Sequence, residues 1–196
     1  MAIIVDKNEK RKSIALSCKN LIINEYIKDI TIAKLAKEAK IAKGSFYDYF
    51  KNKEDLVFAI VTIMMEEYNQ NTQKKLLKAK NIKERLKLFS EFFYSSQDKD
   101  LRKIYKEFVA ISLTTSNEQI ITFQTNCYNI YYQWLKQIIN DAIKDGELKS
   151  ETIYLVDGLF ATVKGLYISS HTTNALPNLK EAIDNYIDTI YNLARV

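Results

Sequence analysis

Turn-forming residues are scarce: the chain has four glycines and one proline in 196 residues. A many-stranded sandwich or barrel needs far more of them, so an all-α fold is expected. Two cysteines, Cys18 and Cys127, and one histidine, His171, are too few for a three- or four-ligand zinc site or a disulfide framework. No metal or cofactor is therefore expected, and a reducing cytoplasm fits best. The best apolar candidate for a membrane span, Leu159 to Ser169, is interrupted by Lys164 and falls short of the roughly 18 to 20 residues a span needs. The opening MAIIV is too short for a secretory core and precedes its basic residues instead of following them. What the chain has in quantity is apolar surface, 47% hydrophobic with 12% aromatic residues, enough for a sizeable core in one or two domains.

The positive charge is concentrated at one end. Residues 1–53 hold 12 Lys and Arg against 6 Asp and Glu, and the remainder holds 17 against 18. Such polarisation points to a polyanionic partner at the first quarter of the chain, by phosphate contact and counterion release, or to a lysine-rich solvated surface.

Helical periodicity covers most of the sequence and gives about nine helices. The first runs from about Asp6 to Glu25, with Ile14, Cys18, Leu21 and Ile22 on one face. A short second helix, Ile32 to Ala39, begins after Thr31 as its N-cap, and a third begins near Lys43 and extends to about Tyr49. Asn52 caps a fourth with Asp55 as partner, and Ser116 with Gln119 reads as a capping box before the seventh. Gly146 marks a helix C-cap and Pro177 precedes the last helix.

Two short helices joined by a tight turn inside a basic three-helix unit describe a helix-turn-helix, which lays its second helix in the major groove of DNA. The run Thr31-Ile32-Ala33-Lys34-Leu35-Ala36, followed by Ile41-Ala42-Lys43-Gly44-Ser45-Phe46-Tyr47-Asp48-Tyr49-Phe50-Lys51-Asn52-Lys53-Glu54-Asp55-Leu56, resembles the DNA-binding signature of Tet repressor (TetR/AcrR) family regulators. The resemblance covers about the first 56 residues, and the other 140 match only in architecture. It implies that Thr31 lies near a phosphate and that Lys43, Gly44 and Ser45 open the recognition helix, the glycine permitting close approach to the duplex. Tyr47 and Tyr49 would hydrogen-bond phosphates, and Lys53 would pair with the DNA backbone. Hydroxyls and ammonium groups at helix starts are good phosphate partners. The sequence departs from the family pattern at Tyr26 and Lys40, where glycine is usual, and at Ala42, where a capping serine is frequent. A left-handed non-glycine residue and a missing N-cap each cost about 1 kcal/mol. Asp48 either accepts a hydrogen bond from cytosine N4 or, the favoured reading, is a counter-charge to Lys51 or Lys53.

The expected division is a helix-turn-helix domain over residues 1–53 and a helical effector-binding and dimerisation domain over 54–196. By resemblance, Phe93, Tyr105, Phe108, Phe123, Tyr128, Tyr131, Trp134 and Tyr167 are candidate walls of a pocket suited to an apolar or aromatic effector. The eighth helix carries a stripe of small residues, Gly158, Thr162, Gly165 and Ser169, and the ninth carries Ile183, Tyr186 and Ile190. The resemblance places these two helices in a four-helix homodimer interface. No nucleophile elbow, phosphate-cradling glycine loop or two-histidine helix motif is present, and His171 suits a helix-terminus hydrogen bond. The expected function is a dimeric repressor, not an enzyme, that leaves its operator DNA when a small effector binds. The alternative is an all-helical ligand carrier or interaction protein without operator binding.

Overall fold

A computed structural model describes residues 6–196, and among them the regular structure is helical, with one isolated antiparallel bridge between Leu148 and Arg195. The helices are α1 (Lys7–Asn24), α2 (Ile32–Glu38), α3 (Lys43–Phe46), α4 (Lys53–Leu76), α5 (Ile82–Ser90), α6 (Lys99–Thr114), α7 (Glu118–Lys144), α8 (Val156–Thr172) and α9 (Leu179–Ala194). No described helix is long and apolar enough to cross a membrane.

The chain forms two compact units, each discontinuous in sequence. The first comprises residues up to Tyr68 together with Asp100–Gln124, and the second comprises Asn69–Lys99 with Thr125–Val196. The boundary expected after Lys53 thus runs inside the first unit. Its core shows why: Leu56, Val57, Ile60 and Val61 of α4 are all at most 5% exposed, as are Leu35 and Ala36 of α2 and Phe46 of α3. The first turns of α4 cannot be separated from the short helices without exposing that surface, at about 25 cal/mol per Å² of apolar area. Cys18 lies in this core, its Sγ donating to the Leu35 carbonyl at 3.5 Å. Burial pushes its thiol above the ordinary range, so it behaves as a small hydrophobe.

The second unit is built on Ile82 and Leu86 of α5, Leu135, Ile138, Ile139 and Ala142 of α7, Val156, Leu159, Phe160 and Val163 of α8, and Ile183 and Ile187 of α9. Its helix ends are closed by side chains. Asn81 Oδ1 accepts from Glu84 N at 2.9 Å, and Asn178 Oδ1 accepts from Glu181 N at 3.1 Å. After α7, Gly146 takes φ 74, with Gly146 N donating to Ile143 O at 3.1 Å and Glu147 N to Ala142 O at 2.9 Å. That is the left-handed C-terminal cap the sequence indicated. Glu147 then turns back, its Oε2 accepting from Ile82 N at 2.9 Å.

Two helix ends differ from the sequence expectation. Asn117, not Ser116, caps α7, its Oδ1 accepting from Ile120 N at 3.1 Å. Gln119 faces Asn52 instead of closing a box, accepting from Asn52 Nδ2 at 3.0 Å. The third helix is also shorter than the Lys43-to-Tyr49 span. Beyond Phe46 the amides of Tyr47, Asp48 and Tyr49 bond three residues back, to Gly44, Ser45 and Phe46, at 3.1 to 3.3 Å. This tightening turns the chain so that both Phe46 and Phe50 reach the core, at 0% and 1% exposure.

Candidate DNA-binding site

The first unit carries the candidate site. Thr31 caps α2, its Oγ1 accepting from Lys34 N at 3.3 Å. After α2 the chain reverses at Lys40, the one non-glycine residue with positive φ (54°) among those described. Lys40 N donates to Lys37 O at 3.1 Å and Ile41 N to Ala36 O at 3.0 Å, the same cap that Gly146 makes, here with a side chain in the left-handed region. Replacing Lys40 with Gly relieves this strain against a larger unfolded-state entropy, so K40G is expected to stabilise the protein by up to about 1 kcal/mol. Thermal unfolding checks this, a rise of roughly 2 to 4 °C being the expected signature. Tyr26 needs no glycine. It has φ −71 and ψ 134, because α1 ends in extended backbone at Glu25 and not in a left-handed cap. Ala42 starts α3 without a side-chain cap.

α3 is held from one side and open on the other. Phe46 is fully buried and packs against Phe50 with ring centroids 5.5 Å apart. Lys43 and Gly44 are exposed and Ser45 and Tyr49 half-exposed, and Tyr47 is 55% exposed. A Cβ on Gly44 would meet nothing within 4 Å, so packing inside the chain does not demand a glycine here. Neither tyrosine is turned wholly into the core.

Two side chains not singled out in the sequence hold this surface in place. Arg11 of α1 donates from Nε to Tyr49 O at 3.1 Å and from Nη2 to Asp55 Oδ1 at 2.7 Å, and lies over the Phe50 ring at 4.8 Å. Asp55 also accepts from Lys51 N at 3.1 Å, and its own amide donates to Asn52 Oδ1 at 2.8 Å. One arginine thereby fixes the exit of α3 against the entry of α4. Within a basic run Lys10-Arg11-Lys12 it has no feature that separates it from solvated charge.

Glu107 of α6 acts from the other side, its Oε1 accepting from Ile27 N at 2.5 Å. Burial pushes its carboxyl above the ordinary range, partly offset by the Ile27 amide and by Lys103 and Lys28. A raised folded pKa means that this site's contribution to stability is complete below the ordinary Glu range and is lost as pH rises through the raised value. The advantage of Glu107→Gln over the wild type should therefore grow with pH across that window and then level off, as urea unfolding at a series of pH values will report.

Lys53 is differently engaged from what the resemblance implies. Its Nζ donates to the carbonyls of Ile27 at 2.9 Å, Lys28 at 3.2 Å and Ile30 at 3.2 Å. All three of its donors are used inside the chain, although carbonyls leave the positive charge uncancelled. Asp48 forms no ion pair with Lys51 or Lys53 among the described residues.

The candidate effector rings separate into sets. In the first unit, Phe108 meets Phe123 at 5.8 Å, and both meet Phe58 of α4, stacked on Phe123 at 4.5 Å and edge-on to Phe108 at 6.0 Å. Tyr105 is half-buried on the same helix as Phe108. In the second unit, Phe93 lies 5.3 Å from Tyr167, and Tyr131 stacks on Trp134 at 6.3 Å. Tyr128 joins a different set, with Tyr132 at 5.9 Å and Phe160 at 4.9 Å. His171 closes the end of α8, its Nδ1 lying 3.0 Å from Tyr167 O.

On α8, Gly158, Gly165 and Ser169 are exposed and Thr162 is half-buried, and on α9 Tyr186 and Ile190 are half-buried. Ile183 is a correction. It is 0% exposed and belongs to the core with Ile82, Leu86 and Ile139. The apolar stripe of α9 is wide enough to serve its own unit first, and Ile183 is at the centre of that stripe, where no second chain reaches it.

Comparison with known proteins agrees with this geometry. The family described as "Bacterial regulatory proteins, tetR family" matches residues 27–60, the segment from Ile27, whose carbonyl Lys53 holds, to the first turns of α4. The chain is 27% identical over 120 residues to the "Fatty acid metabolism regulator protein" of Bacillus subtilis (strain 168), a match spanning 60% of this chain and 60% of that relative. It is 23% identical over 169 residues, 83% of this chain and 86% of the relative, to the HTH-type transcriptional regulator QacR of Staphylococcus aureus. The fold recurs in a TetR family transcriptional regulator from Cytophaga hutchinsonii, with TM-score 0.79 at 15% identity over 98% of both chains. It recurs also in the regulator FadR from Bacillus subtilis in complex with stearoyl-CoA, with TM-score 0.65 at 21% identity over 89% of this chain and 96% of that one. Residues 27–60 thus carry the helix-turn-helix of the TetR family of transcriptional regulators, and the chain as a whole has the fold found in TetR-family regulators.

Proposed function

We propose that this protein is a repressor that grips operator DNA as a homodimer and releases it when a small, largely apolar effector binds. The observation that carries the DNA half of this reading is the outward polar ridge of α3, with Tyr47 55% exposed directly beside a fully buried Phe46. In it, Lys43 and Ser45 reach base edges, Thr31, Tyr47 and Tyr49 bond phosphates, and Gly44 lets the duplex come close. Lys53 contributes through its first-turn amide and its uncancelled charge while its ammonium holds the loop before α2. Two such ridges in a two-fold dimer must meet successive major grooves about 34 Å apart. A shift of α4, which is one continuous helix from Lys53 to Leu76, alters that match.

The effector half rests on the candidate rings of each unit taken by itself: Tyr105, Phe108 and Phe123 in the first, and Phe93, Tyr128, Tyr131, Trp134 and Tyr167 in the second. A long-chain acyl compound suits them, and the FadR relative is known in complex with stearoyl-CoA. The dimer is formed by Gly158, Thr162, Gly165 and Ser169 of α8 with Tyr186 and Ile190 of α9, and such a regulator works in the cytoplasm beside its operator. It carries out no catalysis and needs no cofactor.

The test is a gel-shift titration of the full-length protein against the DNA upstream of its own gene, at two salt concentrations, with and without stearoyl-CoA. A competitor-resistant complex whose affinity falls with salt, and which stearoyl-CoA dissolves, is expected. Lys43→Ala should weaken operator binding by about 1 to 3 kcal/mol and relax the choice of base at the position it contacts. No competitor-resistant complex at either salt would overturn the DNA reading, and a complex indifferent to stearoyl-CoA would overturn the acyl assignment.

A further inference from the structure

The exposed face of α8 carries charge as well as small residues. Asp157 is exposed, and the Tyr132 hydroxyl hydrogen-bonds to its carboxylate. Two turns further on, Lys164 sets its ammonium 4.8 Å from the Tyr128 ring centroid and 5.1 Å from that of Phe160. It makes no ion pair among the described residues, and burial with no compensating anion pushes its pKa down. Beside them stand Gly158, Ala161 and Gly165, all exposed. A Cβ on either glycine would meet nothing within 4 Å. Ile168, 38% exposed, extends the same face towards the C-terminal end of α8.

The spacing of these groups has a symmetry of its own. At 100° per residue, Asp157 and Lys164 lie on one flank of α8, the flank towards α7, and Gly158 and Gly165 lie on the other side of Ala161. The midpoint of the charged pair falls between residues 160 and 161, and that of the glycines between 161 and 162. A two-fold axis running past Ala161 would pair two α8 helices antiparallel. It would bring each Asp157 to the Lys164 of the second copy on the same flank, and each Gly158 to the other chain's Gly165. In a two-fold interface residue i meets j while j meets i, and one acid and one base equidistant from the axis satisfy that condition twice over.

We infer that two copies of this chain join through α8 in antiparallel register about Ala161, with reciprocal Asp157 to Lys164 ion pairs fixing the register and selecting self over other partners. This inference rests on the dimer reading above and goes further by naming its register and its specificity device. A charge already stripped of part of its water beside two rings gains a carboxylate at the moment of association, and opposite charges at fixed positions discriminate against mispaired registers.

The experiment is charge reversal followed by mixing. Asp157→Lys and Lys164→Glu should each weaken the homodimer by about tenfold in sedimentation at graded concentration, because each converts two attractions into two repulsions. Mixed, the two variants should form a heterodimer close to wild-type affinity. The introduced lysine of one chain then faces the introduced glutamate of the other, and the untouched Asp157 and Lys164 face each other as before. Cysteine pairing keeps the idea testable should either variant fold poorly. Interaxial distances of 8 to 10 Å leave on-axis Cα atoms within disulfide range, so Ala161→Cys should cross-link to its own copy under mild oxidation. Ser169→Cys, roughly 12 Å along the helix from the axis, should not. A wild-type dimer whose strength is unmoved by either reversal, or which cross-links at residue 169 and not 161, would overturn the register and leave the dimer reading standing. A wild-type monomer at all concentrations would overturn both.

Discussion

Phe46→Ala is expected to lower the unfolding free energy by about 3 to 5 kcal/mol, the usual cost of emptying a buried phenylalanine site, while Tyr47→Ala, its immediate neighbour, leaves stability within about 0.5 kcal/mol. Phe46 is 0% exposed and touches both the Tyr47 and the Phe50 rings, with centroids 5.7 and 5.5 Å away. Its removal takes the one apolar anchor from a helix of four residues that has no side-chain N-cap. Nothing else in so short a helix can hold it. Tyr47, at 55% exposure, gives up little buried area when truncated, so its loss should be read at the DNA. A charge-assisted hydrogen bond to phosphate is worth about 1.5 to 3 kcal/mol, so Tyr47→Ala should weaken operator binding by at least about tenfold with an unchanged melting curve. Calorimetry and gel shift on the two variants separate the roles. A Tyr47→Ala protein that melts several degrees early would mean that the ring is structural, and the ridge would then lack its outer wall.

Local signals were legible in the sequence to the extent that they were covalent or one turn long. Thr31, Asn52, Gly146 and Pro177 announce helix ends because capping is decided within three residues, and the strain at Lys40 follows from a turn that needs positive φ with no glycine to supply it. Burial followed from periodicity for Cys18, Leu35 and Ile22, all of which are at most 1% exposed. What was not legible depends on neighbours distant in sequence. The hydrogen bonds from Arg11 to Tyr49 and Asp55 span 38 and 44 residues, and that from Ile27 to Glu107 spans 80. A lysine at a helix start looks the same in sequence whether it meets a phosphate or, like Lys53, three carbonyls of its own chain. Ser116 and Asn117 are both good caps, and only the direction of the incoming chain selects the second. The separation of the aromatic residues into sets was equally hidden, because the periodicity of α7 says which faces are apolar but not which ring turns to which partner.

Ile183 and Leu193 make the sharpest contrast between a helix's service to its own core and to a second chain. Both are apolar residues of α9, yet Ile183 is 0% and Leu193 68% exposed. Ile183→Ala is expected to destabilise the second unit by about 2 to 5 kcal/mol, since Ile183 is fully buried in the same core as Ile82, Leu86, Ile139 and Ile187. Leu193→Ala should leave the melting of the isolated chain almost untouched, because the side chain is mostly exposed. If α9 lies in the dimer, however, the same change should raise the dissociation constant, each lost apolar contact being counted twice across a two-fold axis. Denaturant unfolding at fixed dilution measures the first effect, and sedimentation over a concentration series measures the second. Were Ile183→Ala to dissociate the dimer while sparing the fold, the core assignment of α9 would be wrong. Were Leu193→Ala to do neither, the exposed end of α9 would have no part in assembly, and α8 alone would have to supply the face on which two chains meet.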